Sequence, residues 1–340
     1  MRIAPSKLER YGVSLGPTGI CLYNVTDVVL TNNDFWKDLA HGSANSTWEA
    51  VHKINPNTKF FAYRDSMASN HEDESVLPDV NNVARWNVSR GLKQGSLNLD
   101  NPGLFLKDSK GDRITVASYN HTFLMDFGSA GWRQYFIDAT VADNFGRPWS
   151  TAGQYIDNVD STILTPTRAN PVRHSNGFSC FEPGCPAKYP TGKAWSVAMN
   201  GFANAAADAF AKRGVPTLAN RGQTATPDGV AAWVALDRSV TAGHAPVGQC
   251  EEGAFVTPWF SPPACVDFLP LESWQNQISA LGLMKNSNAY MLGHSKLASE
   301  KTAWANSSGV DNWKKPVNFW EIFYYCLASF SIGKNDIENT

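Results

Sequence analysis

Residues 153–160 read GQYIDNVD, and the placement of Asp157 in that run decides how the chain is read. Ile156 and Val159 bracket the aspartate, so it falls inside an apolar strand predicted over Gln154–Val159. Burying a charge costs free energy unless the group is paired or used. A carboxylate at this point therefore calls for a function.

Working outward, the same unit recurs on both sides: a short apolar run, a polar turn and a helix-like segment. Further strands are predicted at Lys59–Tyr63 (KFFAY), Thr122–Asp126 (TFLMD) and Pro216–Asn220 (PTLAN), with weaker ones at Ala245–Cys250 and Asn288–Gly293. Gly19–Tyr23 (GICLY) supplies the first. Trp195–Arg213 carries Val197, Phe202, Ala206, Ala209 and Phe210 on one helical face, and Gly214 stops it. Trp132–Asn144 reads similarly. Asp228–Ser239 opens after Thr226-Pro227, a helix start with proline in the first turn. Leu271–Lys285 and Phe319–Phe330 complete the helices.

About seven strands alternating with helices suit a closed (β/α)8 TIM-type barrel better than an open doubly wound sheet. The open sheet would carry a glycine-rich phosphate turn after its first strand, and no GxGxxG or GxxxxGK[ST] is present. One catalytic domain over residues 1–340 is expected. Its eighth strand should be truncated or irregular, because the chain ends at Ser331–Thr340, where that strand should begin.

Composition narrows the function. A hydrophobic content of 43% suffices for a large core, and a net charge of −2 argues against an electrostatic nucleic-acid binder. No run of 18 apolar residues appears, so no membrane partner is expected. Six cysteines are present: Cys21, Cys180, Cys185, Cys250, Cys265 and Cys326. Cys180 with Cys185, and Cys250 with Cys265, bracket proline-containing loops that disulfides could close, the alternative being buried thiols. N-x-S/T sequons begin at Asn24, Asn45, Asn87, Asn120 and Asn306. Cysteines and sequons together point to a secreted, extracellular protein, although residues 1–12 show no signal peptide.

In a parallel barrel, chemistry sits at the C-terminal ends of the strands. Acids gather there: Asp65 beside Arg64, Asp126, Asp157 and Asp160, and Glu251-Glu252. Acids converging on one rim are what glycosidic cleavage uses. One protonates the leaving oxygen while another stabilises the oxocarbenium-like transition state. Asp65, Asp126 and Asp160 can equally be helix N-caps. Only one of Glu251 and Glu252 can face the barrel axis, and Glu252 is favoured. Arg64, Asn220 and His294 end strands and are candidate substrate ligands. Of twelve tryptophans, Trp259 and Trp274 are the candidate sugar platforms, whereas Trp132 and Trp233 read as core. No GxSxG, HExxH or paired-histidine spacing appears, so neither a metal nor a cofactor is expected.

Three pieces taken together, LFLKDSKGDRI (104–114), LMDFGSAGWRQYFIDAT (124–140) and GQYIDNVD (153–160), resemble the glycoside-hydrolase-like (β/α)8-barrel families. The resemblance extends loosely to Glu252. It implies that Asp157 is the catalytic carboxylate, that Glu252 or Glu251 is its partner, and that Asp126 lines the site. Two departures stand out. Ala152-Gly153 replaces the family's Asp-Gly, and Leu164–Lys193 is an insertion foreign to the pattern. The expected function is therefore a two-carboxylate hydrolase of O-glycosidic bonds in polysaccharide. The rival is a non-catalytic glycan-binding or structural barrel, since a fold does not fix a function.

Overall fold

The structure, a computed structural model, describes residues 28–30, 56, 59–66, 102–111, 114–116, 119–145, 153–159, 187–222, 224–252, 254–255, 268–284, 291–294, 324–326, 328–329 and 332. The strands are β1 (Val28–Leu30), β2 (Lys59–Asp65), β3 (Thr115–Val116), β4 (Tyr119–Phe123), β5 (Gly153–Asp157), β6 (Thr217–Asn220), β7 (Val247–Glu252) and β8 (Met291–His294). The helices are α1 (Ala130–Asn144), α2 (Gly192–Ala211), α3 (Pro227–Arg238) and α4 (Leu271–Leu283).

Six strands form one parallel sheet in the order β1-β2-β5-β6-β7-β8. That order follows the chain without reversal, whereas a doubly wound sheet turns back at a switch point. Among the described residues no pairing joins β8 to β1. The described sheet opens at Val28–Leu30; Gly19–Tyr23 lies outside the described residues.

One predicted strand is not part of this sheet. Thr122–Asp126 was expected to stand between β2 and β5, but those two strands pair directly, with Asp65 opposite Asp157 in the register. Instead β4 pairs antiparallel with β3, and Met125 bridges antiparallel to Phe105. Leu106 donates to Leu124, Leu124 to Ile114, and Asp126 to Leu104, all through backbone groups. An apolar run of this length fits either arrangement, and its backbone groups found closer partners in residues 104–116.

The helices start where the sequence signals them. Ser129 caps α1 by accepting from Trp132 N–H, Thr191 caps α2 through Ala194 N–H, and Thr226 caps α3 through Gly229 N–H with Pro227 in its first turn. Gly214, at φ +72°, ends α2. The buried face of α2 is Trp195, Ala198, Met199, Phe202, Ala203, Ala206, Ala207 and Phe210. Val197, expected on that face, is 65% exposed, because it projects about 200° around the helix from Trp195. Residues 324–326, 328–329 and 332 are helical, within the predicted Phe319–Phe330 or just beyond it.

The core between α1, α2, the sheet and the antiparallel platform is aromatic. Phe127 meets Trp195 edge-on at 4.8 Å, and Phe136 meets Phe202 at 4.9 Å. Such pairs add about 0.5–1.5 kcal/mol each beyond the area they bury. Gly153 opens β5 under the Phe61 ring, which leaves no room for a Cβ. Among the described cysteines, Cys250 and Cys326 are buried thiols, which for Cys250 is the alternative to a disulfide across the 250–265 loop. Cys250 sits within β7, where a small apolar side chain fills the core. Cys21, Cys180, Cys185 and Cys265 lie outside the described residues.

Candidate functional site

Side-chain alternation sorts the strand ends into two faces. On β5, Ile156 belongs to the core shared with α1 and α2, which puts Tyr155 and Asp157 on the opposite face. On β6, Ala219 belongs to that same core, which puts Leu218 and Asn220 opposite. Asp157 and Asn220 thus share the face turned away from the helices, at the C-terminal ends of adjacent strands. They meet there: Asn220 Nδ2 donates to Asp157 Oδ1 at 2.8 Å.

Asp157 proves to be the last residue of β5, with Asn158 and Val159 already in the turn. Asn158 adopts the left-handed region at φ +57°, which asparagine tolerates better than most residues. Its N–H donates to Asp157 Oδ1, 2.9 Å away. One carboxylate oxygen thereby accepts from two donors, one on β6 and one in the turn that follows β5. Donors of this kind shorten and strengthen when the acceptor is ionised.

The turn is braced from both neighbouring strands. Ser66, just past β2, donates its N–H to Asp157 O at 3.1 Å and its hydroxyl to Asn158 O at 3.1 Å. Val159 N–H donates to Asn220 O at 2.9 Å. Trp132 of α1 donates its indole N–H to Ser66 O at 3.3 Å. Ser66, Trp132 and Val159 are buried, whereas Asp157 keeps partial access to solvent.

The other sequence candidates fall in different places. Glu251 shares its face of β7 with Gln249, whose amide donates to Trp233 O of α3. Glu251 is buried, and its Oε2 accepts from Thr224 N–H at 2.8 Å and from Thr224 Oγ1 at 2.5 Å. The backbones of Glu252 and His294 are opposite one another at the paired ends of β7 and β8; their side chains, like that of Asp65, lie outside the described residues. Arg64 is buried at 2% exposure, in register with Ile156. Trp259 and Asp160 lie outside the described residues.

Asp126 is buried in the turn that leads into α1. Its Oδ1 accepts from Gly128 N–H at 3.0 Å and from the Tyr189 hydroxyl at 2.5 Å, while Oδ2 pairs with Lys188. Burial first, and then the Asp126 carboxylate that accepts from it, push the Tyr189 phenol well above its usual range. This cluster ties the far end of the 164–193 insertion to α1. Gly128 is needed there, because a Cβ would overlap the Tyr189 hydroxyl.

Trp274 donates its indole N–H to Ser329 Oγ at 2.8 Å and packs on Ala254, Phe255 and Cys326. Next to it, burial and the Cys326 thiol push the Tyr325 phenol up to about 12, opposed by a hydrogen bond with Ser329. Among the described residues no group of three or more His, Cys, Asp or Glu is placed to hold a metal ion, and no helix is long and apolar enough to cross a membrane.

Sequence reasoning passed over Ser66 and Asn158. A serine after KFFAYRD carries no motif, and the left-handed turn is signalled only weakly by Asp-Asn at a strand end. Trp132 was read as core, which it is, but its N–H also holds Ser66.

No family model and no curated protein matches the chain. Two solved structures of the cycloalternan-degrading enzyme from Trueperella pyogenes are similar to it at 9% identity, with TM-scores of 0.31 and, in complex with isomaltose, 0.33. The matches cover 84% of this chain and 37% and 35% of that enzyme, so this chain spans about a third of the enzyme's length.

Proposed function

We propose that the chain is a glycoside hydrolase whose parallel sheet is part of a (β/α)8 barrel, acting on polysaccharide through Asp157 and a second carboxylate. The observation that carries this reading is the Asp157–Asn220 contact. It puts a partly exposed carboxylate, held by two donors, on the face away from the helices at the C-terminal rim, where parallel α/β enzymes do their chemistry. The three-piece sequence resemblance supports it independently. The uninterrupted parallel strand order is the order a barrel wall requires.

Glu252 is the partner carboxylate in this reading. Glu251 is committed to Thr224, which leaves Glu252 as the member of the pair to carry the second role. Carboxyl groups about 5–5.5 Å apart would make the enzyme retaining, and about 6.5–9.5 Å apart would make it inverting.

The test is Asp157→Asn, assayed by reducing-end release across a panel of polysaccharides. Turnover should fall by at least about a thousandfold, as loss of a reacting carboxylate does. The thermal melt should stay close to wild type, because the amide can still accept from Asn158 and Asn220. An unaltered rate in Asp157→Asn would sink the assignment. A wild-type chain that cuts nothing in the panel yet binds saturably on a glycan array would make it a glycan-binding barrel instead.

A further inference from the structure

We infer that Asn220 and Ser66 are positioning residues for Asp157, acting on it from the two strands that flank β5; the inference rests on the hydrolase reading above only for its catalytic consequence. Asn220 acts directly, through its 2.8 Å bond to Oδ1. Ser66 acts through the turn. Its N–H holds the carbonyl of Asp157, and so the peptide plane whose Asn158 N–H donates to the same oxygen, while its hydroxyl holds the carbonyl of Asn158.

An aspartate at the end of a strand ordinarily caps the next helix or turns to water. Here three separate chain segments, residues 66, 158–159 and 220, converge on it. Each is tied to the others as well: Val159 N–H reaches Asn220 O, and the Trp132 indole secures Ser66 from behind. Ser66, Trp132, Val159 and Asn220 are buried, whereas Asp157 keeps partial access to solvent. Two of these contacts, from Asn220 Nδ2 and Asn158 N–H, meet on one oxygen of a partly exposed acid, and the others hold the backbone that carries it. Preorganising a reacting group in one orientation is what such convergence accomplishes, and small misplacements of that group are costly in rate.

A positioning role differs from a structural one in what it moves. Without its amide donor, the Asp157 carboxylate should lose orientation, which lowers kcat while substrate binding is kept. It should also hold its proton more readily, since a donor to the ionised form favours that form. Replacing the amide by a second carboxylate should make the two acids share a proton. Activity would then survive only while the pair is singly protonated.

The experiment uses the full chain with Asn220→Ala, Asn220→Asp and Ser66→Ala, assayed on the polysaccharide that the wild type cuts fastest. Asn220→Ala should lower kcat about 10–100-fold with KM within about twofold, and Ser66→Ala should lower it by a smaller factor in the same sense. In Asn220→Asp the alkaline limb of kcat/KM should move to lower pH. Titration of the Asp157 carboxyl by 13C NMR, assigned with Asp157→Asn, should show a higher midpoint in Asn220→Ala than in wild type. A wild-type kcat in Asn220→Ala, or an unmoved alkaline limb in Asn220→Asp, would overturn the proposal; the latter also decides the matter if Asn220→Ala does not fold. Should the wild type cut no polysaccharide, the hydrolase reading falls and the titration alone judges the clamp. A raised midpoint upholds the hold on Asp157, and an unmoved one ends it.

Discussion

Asn158 offers a perturbation whose direction reverses with the residue chosen. Its φ of +57° is open to glycine, tolerable for asparagine, and disfavoured for residues with a bulky Cβ. Asn158→Gly removes the local strain but loosens the unfolded chain by about 0.5–1 kcal/mol, so the two effects nearly cancel. Asn158→Ala keeps the Cβ but gives up the local hydrogen bonding by which an asparagine amide offsets its clash with the neighbouring carbonyl, at about 1 kcal/mol. Asn158→Val adds a β-branch to that clash, for a total of about 2–3 kcal/mol on the same scale.

The structure also sets a ceiling. If the turn left the left-handed region altogether, it would give up four bonds: Asn158 N–H to Asp157 Oδ1, Ser66 Oγ to Asn158 O, Ser66 N–H to Asp157 O and Val159 N–H to Asn220 O. At about 1 kcal/mol net for each, that is a loss of about 4 kcal/mol. The valine should thus approach this ceiling and the glycine should stay near zero. Urea unfolding followed by tryptophan fluorescence reads the series, and the expected order of midpoints is Gly ≈ Asn > Ala > Val. A valine variant as stable as wild type would refute the argument that backbone conformation holds this turn. So would a glycine variant as damaged as the valine one, since that would move the effect to the amide side chain.

Two further outcomes follow from the packing. Gly153→Ala should destabilise by about 1–3 kcal/mol, the range for overpacking, because its methyl must displace the Phe61 ring; a midpoint unchanged in denaturant would show that the ring moves freely. Tyr189→Phe leaves the buried Asp126 carboxylate short of a donor and should cost about 1–3 kcal/mol at neutral pH. The folded Tyr189 phenol titrates above its unfolded value, so its stabilisation is complete below about pH 10 and is lost as pH rises beyond that. The gap between wild type and Tyr189→Phe should therefore narrow in melts above pH 10, and a constant gap would contradict the assignment.

Much of the architecture was legible along the chain because it rests on local chemistry. Thr226-Pro227 and Gly214 mark helix ends by capping and by backbone freedom, and both act as read. The runs KFFAY, QYID and TLAN became strands because β-branched and aromatic residues suit a pleated, buried surface. TFLMD pairs as extended backbone for the same reason, but outside the parallel sheet. Its composition says strand, but nothing in it says which partner it will pair with. Asp157 stood out because an acid within an apolar run is costly; the structure differs, ending the strand at Asp157 and leaving it partly exposed.

What the chain alone could determine was the alternation of strands and helices, the positions of their ends, and the presence of acids at several strand termini. Periodicity and capping act over a few residues, so they are written in consecutive positions. The tertiary structure decided which acid meets which neighbour. It set Glu251 against Thr224, Asp126 against Tyr189 and Lys188, and Asp157 against Asn220, across separations of 27 to 63 residues. These pairings depend on strand order and register, and register is fixed by which face each strand buries against the helices. By sequence Asp157 is an acid within an apolar run; only the packing of β2, β5 and β6 ends the strand there, sets its carboxylate against the Asn220 amide and braces its turn with Ser66.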